Sequence, residues 1–251
     1  MPLRAITTYT QNTSSTVSIT VPAASVEGDI AVLIIASSAA ITTDLSSSGW
    51  NSIGSSPITN SSGRLTVWSK VVTAPDINAT INLSTATSSR FALAVMVRYD
   101  VAGFDATPVF NATTPLTTTP TAPGITTSTA GAELVNIYGC LSNASGALLT
   151  YTIPVSQTKI ADITSPSGSN KNAGFAIGEE ILIAAGETNV RTAMTTENSD
   201  PPLADARTQQ GTLTLAFTPT AVPLAELTVK VRQSGSWVSK TLKTRSSGVW
   251  I

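Results

Sequence analysis

The stretch Thr16-Val17-Ser18-Ile19-Thr20-Val21 alternates polar and β-branched residues strictly, then stops at Pro22. A period of two places Val17, Ile19 and Val21 on one face of an extended strand. The same grammar recurs along the chain, and no segment carries a helical period of useful length. Arg64-Leu65-Thr66-Val67-Trp68-Ser69-Lys70-Val71 alternates again, with Leu65, Val67, Ser69 and Val71 on one face and Trp68 on the other with Arg64, Thr66 and Lys70. Ile30 to Ile35 is continuously apolar, which predicts a strand covered on both faces. Further β-branched pieces follow at 79–83, 91–99, 132–141, 149–155, 181–185 and 212–217, punctuated by Ser, Gly, Pro and Asn clusters. Such spacing predicts an all-β fold, a two-sheet β-sandwich of jelly-roll type.

A chain of 251 residues can enclose such a core without metal or disulfide staples. Two weakly similar halves, about 1–112 and 124–219, flank a Pro/Thr-rich stretch at 113–123. One compact domain over 1–219 is the favoured arrangement, and two small sandwiches are the alternative. Pro219 and Pro223 then mark a boundary, so that 220–251 reads as a separate element.

That element repeats itself. Lys230-Val231-Arg232-Gln233-Ser234-Gly235-Ser236-Trp237 returns as Lys243-Thr244-Arg245-Ser246-Ser247-Gly248-Val249-Trp250, in a shared frame K-x-R-x-x-G-x-W. The two glycines permit turns at positive φ, so each copy predicts a small β-hairpin ending on a tryptophan. Arg and Trp are the side chains most enriched at interface hot spots. Lys230, Arg232, Gly235, Trp237, Lys243, Arg245, Gly248 and Trp250 are therefore the expected contacts for a partner. Docking of the two indoles on the chain's own body is the competing expectation.

The inventory of reactive side chains is short. There is no histidine, which removes the usual general base near neutral pH and the commonest metal ligand. Cys140 is the sole cysteine and sits in an apolar strand-like setting, so it is expected to be a buried structural thiol. Among the acids, Glu179 and Glu180 are adjacent and on a strand would face opposite ways. Asp100 with Asp105 frames a turn, and Asp44, Asp76, Asp162, Asp200 and Asp205 stand in loop-like surroundings. Solvated or turn-capping roles are expected for all of them. No phosphate-binding glycine motif or calcium loop occurs. The expectation is no catalytic residue, no cofactor and no metal.

Net charge is −1, from 14 cations against 15 anions, so no basic field draws nucleic acid. The longest apolar run, 30–36, is too short to cross a bilayer as a helix. The opening MPLRAITTYTQ has no apolar core of a secretory signal, which predicts synthesis in the cytoplasm. Trp50, Trp68 and Tyr99 are expected to pack between the sheets. Exposed instead, they would suit carbohydrate binding.

Several features together resemble the β-sandwich domain of phage tail and minor virion structural proteins. Gly28-Asp29 precedes an apolar strand, Ser48-Gly49-Trp50 forms a turn, and Arg64-Leu65-x-Val67-Trp68-x-Lys70 follows. Tyr99 closes the strand Ala92 to Arg98, and Pro123 precedes Gly131-Ala132-Glu133-Leu134-Val135. The likeness spans roughly 15–217; it departs from the family at Tyr99-Asp100-Val101, where Tyr-x-Gly is usual. Tandem G-x-W repeats are similar to the C-termini of many phage virion proteins. The resemblance implies a virion component of tail, fibre or capsid surface. It would be a homo-oligomer, a trimer among the options, partnered by other virion proteins. A host surface glycan is the alternative partner, and no catalytic residue carries over.

Overall fold

The computed structural model describes residues 3–57, 64–99, 101–113, 119–142, 148–165, 172–198, 208–219, 227–233, 236–242, 245–246 and 249–250. Strands β1 (Leu3–Thr20), β2 (Ile30–Ser37), β3 (Asn51–Pro57), β4 (Arg64–Val71) and β5 (Thr80–Arg98) form one antiparallel sheet in the order β1-β5-β2-β4-β3. The chain continues through β6 (Val101–Phe104), β7 (Val109–Thr113), β8 (Thr121–Ala122), β9 (Thr126–Thr127), β10 (Glu133–Ser142) and β11 (Leu148–Thr152). It then runs through β12 (Thr158–Thr164), β13 (Asn172–Ile181), β14 (Gly186–Glu187), β15 (Arg191–Thr192), β16 (Met194–Asn198) and β17 (Thr208–Pro219). A second sheet takes the order β12-β13-β10-β17-β6, with β7 also on β17.

The two sheets pack face to face as a β-sandwich. Even-numbered residues of β2 and β5 (Ile30, Val32, Ile34, Ala92, Ala94, Met96) meet Val135, Ile137, Phe175, Ile177, Leu213 and Leu215 in one core. Alternation alone explains which residues arrive there, because successive side chains of a strand point to opposite faces. Close approach is helped by Gly139. A Cβ there would lie 2.9 Å from the Gly211 carbonyl oxygen and 3.2 Å from Leu65 Cδ1 of the facing sheet.

Each sheet is also covered on its outer face, which is unusual for antiparallel sheets. The first carries a second core of Leu33, Ile35, Leu93, Val95, Trp50 and Leu45. The far halves of β1 and β5, which remain paired from Thr16↔Ser84 to Thr20↔Thr80, add Val17, Ile19, Ile81 and Leu83 to it. Register shifts between Gln11 and Thr16 mark where this long ribbon changes course. On the second sheet, Tyr138, Cys140 and Ala176 are covered by Leu149 and Tyr151 of β11 and by Ala122 and Ala193. The ribbons β8–β15, β9–β14 and β11–β16 build this cover. Double-sided burial is why 30–35 and 91–97 read as unbroken apolar runs.

Three expectations are corrected by this arrangement. Trp50 is buried, but in the outer core of the first sheet rather than between the sheets. Trp68 is half-buried against that same outer core. Tyr99 is also half-buried, its ring stacked under the Arg4 guanidinium at 4.8 Å. The reason is shared: all three lie on or beside the strand faces that the ribbon and loops cover. The crossing from first to second sheet falls between Arg98 and Val101, ahead of the Pro/Thr-rich stretch.

The chain divides into two compact units, Met1–Pro219 and Thr220–Ile251. In the second, β18 (Leu227–Gln233) pairs antiparallel with β19 (Ser236–Leu242), and β20 (Arg245–Ser246) with β21 (Val249–Trp250). Among the described residues no α-helix occurs, and none is long and apolar enough to cross a membrane.

Candidate functional site

The inner face of β5 reads Arg90, Ala92, Ala94, Met96, Arg98, an apolar stripe with an arginine at each end. Both arginines are buried, and both reach across to the second sheet. Arg90 Nη1 donates to Asn172 Oδ1 at 2.8 Å. Arg98 Nη1 donates to Glu179 Oε2 at 2.6 Å, and its Nη2 pairs with Glu133 Oε2. Glu133 stands opposite Ile181 and Glu179 opposite Val135, so the two carboxylates are diagonal neighbours on the inner face of β10 and β13. The Arg98 guanidinium also lies 5.5 Å above the Phe217 ring, which packs on Phe104 at 5.0 Å. Burial pulls the Arg98 pKa down from the arginine value, and Glu179 acts against that.

Glu133 and Glu179 line a cavity of about 230 Å³ together with Ser156, Thr158, Glu180 and Ile181. Glu180 faces the opposite way from Glu179, as adjacent strand residues must, and pairs side-on with Arg191, whose Nε and Nη2 donate to its two carboxylate oxygens. Ser156 Oγ donates to Glu180 Oε2 at 3.0 Å. Glu179 is thus neither solvated nor a turn cap, contrary to expectation. It is a core residue bound to an arginine of the other sheet.

A second cleft, of about 370 Å³, lies at the Trp50 end, lined among others by Asp44, Ser48, Trp50, Lys70, Asp76 and Asn82. Its charged groups already have partners. Lys70 Nζ donates to Ser48 O at 2.7 Å and Asp76 Oδ1 at 2.5 Å. Asp76 also caps the turn at Thr73 through its amide and hydroxyl. Burial alone would raise the Asp76 pKa, but hydrogen bonds from Lys70 and Thr73 outweigh it and hold the carboxyl low. Asp44 accepts from the Ser46 amide and hydroxyl and is lowered by them. Asp105 likewise accepts from Ser128 and Thr129 across the β6–β7 turn. Asp162 pairs with Lys159 at 2.8 Å. Asp44, Asp76 and Asp105 hold turns and loops, whereas Asp162 stands within β12 rather than in the expected loop and accepts from the Tyr151 amide at 3.2 Å; Asp100, Asp200 and Asp205 lie outside the described residues.

The repeated C-terminal frame becomes two ladders of the same register. Arg232 stands opposite Trp237 in the first hairpin, with Gln233 opposite Ser236. Arg245 stands opposite Trp250 in the second, with Ser246 opposite Val249. Lys230 pairs with Ser239 in the first ladder. Gly235, Lys243 and Gly248 lie outside the described residues. The body residue Cys140 is a buried thiol outside any disulfide, 3.5 Å from Thr195 Oγ1.

Sequence reasoning passed over the Arg98–Glu133–Glu179 cluster. A signal was present, since Arg90 and Arg98 bracket the apolar run Phe91–Val97, where a cation has no solvent to reach. Comparison with protein-family models, with curated proteins and with solved structures gave no match.

Proposed function

We propose that this chain is a non-enzymatic structural component of a bacteriophage virion, acting by assembly with copies of itself and with other virion proteins. The observation that carries the reading is the repeated hairpin register of the C-terminal unit, Arg232 opposite Trp237 and Arg245 opposite Trp250. Opposed positions in an antiparallel ladder share a face. The repeat therefore sets an arginine position opposite a tryptophan position twice, in a compact unit of its own. Modest contacts of that kind gain strength when symmetry multiplies them. The resemblance of the body and of the G-x-W tail to virion proteins points the same way. The acids that the sequence offered for catalysis and that are described act as ion-pair partners or turn caps.

A host glycan as the ligand is the weaker reading. Trp50, at the larger polar cleft, is only 5% exposed and offers no stacking face. Tyr138 and Tyr151 are buried as well.

The test is to compare the full chain with its Trp237→Ala/Trp250→Ala variant by sedimentation and by incorporation into assembled particles. The wild type should sediment as a symmetric oligomer and be incorporated. The variant should lose both while keeping the unfolding temperature of the body. Equal mass and equal incorporation for the two proteins would defeat the proposal.

A further inference from the structure

We infer that the outer edge of β1, from Ala5 to Gln11, pairs antiparallel with the same edge of a second copy of this chain, centred on Thr8. This pairing takes its occupant, a second copy, from the assembly reading and names the surface of the body that the copies share.

The hydrogen-bond phase of the sheet sets which backbone groups of β1 face outward. Val72 N donates to Asp29 O, which extends the β2–β4 ladder by one position. Odd residues of β2 therefore exchange bonds with β4, and even ones with the even residues of β5. The bond from Ser38 N to Arg90 O agrees. The odd residues of β5 are left for β1, where they meet Ala5, Thr7, Tyr9 and Gln11. The N–H and C=O groups of Ile6, Thr8 and Thr10 thus point away from β5. Among the described residues no strand pairs on that side.

The other sheet edges are built differently. Long, flat edge strands invite pairing with another chain, and proteins blunt them with bulges, charges, proline or shortness. β3 has a bulge between Ser52 and Gly54, the Phe110 ring close on Gly54, and Pro57 at its end. β12 has a bulge between Lys159 and Ala161, and both Lys159 and Asp162 bond to the Tyr151 backbone of β11. β6 and β7 have only 4 and 5 residues. β1 keeps an unbroken register with β5 from Ala5 to Gln11 and carries none of these devices there.

The edge is complementary to itself. About a two-fold axis at Thr8, Ile6 stands opposite Thr10 of the second copy and Thr8 opposite its own equivalent, so the outward residues exchange bonds in pairs. Tyr9 stands opposite Thr7 of the second copy, and aromatic and β-branched neighbours of this kind stabilise a ladder. The one charge from Leu3 to Gln11 is Arg4, which is paired with Asp29 and would face the register position of Asn12. No like charges are opposed. Thr8 and Tyr9, at the centre, are exposed. A ladder this short is weak alone; it forms between copies that the C-terminal units hold at high local concentration.

The experiment oxidises the full chain carrying Thr8→Cys or Thr10→Cys under native conditions and follows the covalent dimer on non-reducing gels, with sedimentation for the mass. Equivalent Thr8 positions would lie about 5.5 Å apart at Cα, within disulfide reach. Thr10 stands opposite Ile6, out of reach of its own equivalent. Thr8→Cys should therefore cross-link at least about tenfold faster than Thr10→Cys. Thr8→Pro removes an N–H that faces outward, a place where edge strands tolerate proline. It should keep the unfolding temperature of the body and weaken self-association about tenfold. Should that variant fail to fold, Thr8→Lys, which sets like charges opposite one another at an exposed position, should weaken self-association in the same way. An oligomeric wild type with equal cross-linking of the two cysteine variants, or with self-association unchanged in the folded Thr8 variants, would overturn this inference and leave the assembly reading standing. A monomeric wild type would defeat both.

Discussion

Arg98, the last residue of β5, donates to Glu179, near the end of β13, at 2.6 Å, so the two sheets are tied to one another at this end of the shared core. The bond crosses 81 positions of sequence. The Arg90–Asn172 bond closes the opposite end of the same stripe. The apolar residues between them are therefore framed by two polar ties, each joining the sheets.

Removing the Arg98 cation should be severe. Arg98→Met leaves two carboxylates facing one another in the core, and breaking such a buried pair costs about 3–5 kcal/mol. Urea unfolding measures it. Converting all three residues, as Arg98→Met/Glu133→Leu/Glu179→Leu, should recover most of the loss, because no buried charge is left without a partner. A loss under about 1 kcal/mol for the single variant would place it with surface ion pairs instead.

Gly54 is held by a different constraint. Its φ is +154°, and a Cβ there would sit 2.5 Å from Cε2 of the Phe110 ring. Gly54→Ala should lower stability by about 1–3 kcal/mol, the usual cost of overpacking. Adding Phe110→Leu should return part of that, with the backbone strain remaining. Thermal unfolding of the single and double variants would decide it, and strict additivity of the two losses would contradict the contact.

Stability should fall in acid. The Asp76 and Asp105 carboxyls are held below the ordinary aspartate pKa in the folded protein. For both, burial alone would raise the pKa, and the hydrogen bonds accepted from Lys70 and Thr73, or from Thr129 and Ser128, outweigh it. A depressed folded value favours the native state when the group is ionised. That contribution is complete above the unfolded value and is lost as pH drops through the folded one. The unfolding temperature should therefore decline below about pH 4, and Asp76→Asn should show a shallower decline from a lower start. Parallel curves for the two proteins would rule out the Asp76 contribution.

Cys140 should be inert in the native protein. Its thiol is 0% exposed between Tyr151 and Thr195. An aromatic disulfide reagent should label it only after unfolding in urea. Labelling of the native protein at the rate of a free thiol would show that β11 does not stay closed over the second sheet.

Strand periodicity made much of this protein legible before any coordinates. The alternation of Thr16–Val21 and the unbroken run at 30–35 described one-faced and two-faced burial correctly, because a strand's side chains are assigned to faces by the local pleat alone; at Arg64–Val71 the pattern failed, since Thr66 is buried and Val71 is exposed. The all-β sandwich followed, and so did the opposite orientations of Glu179 and Glu180. The hairpin character of 227–250 was readable from the repeat, since turn and arms lie within a few residues of one another.

Pairing at long range was not readable. Nothing local in Trp50 distinguishes the core between the sheets from the core under the β1–β5 ribbon, for both demand the same buried indole. Nothing in Tyr99 foretold the Arg4 guanidinium, which arrives from the start of the neighbouring strand β1, distant in sequence. Nor did Glu133 or Glu179 carry a mark of burial, because an acid is tolerated inside only when its cation comes from elsewhere in the chain. The sequence by itself determined the all-β class and, in periodic segments such as Thr16–Val21, which face seeks cover; it did not mark β12 or most of β13 as strands, and of the expected piece 181–185 only Ile181 lies in one. Only the tertiary structure decided what covers each face and which charges meet there, because local periodicity encodes burial, whereas partners are chosen by how distant strands pair and pack.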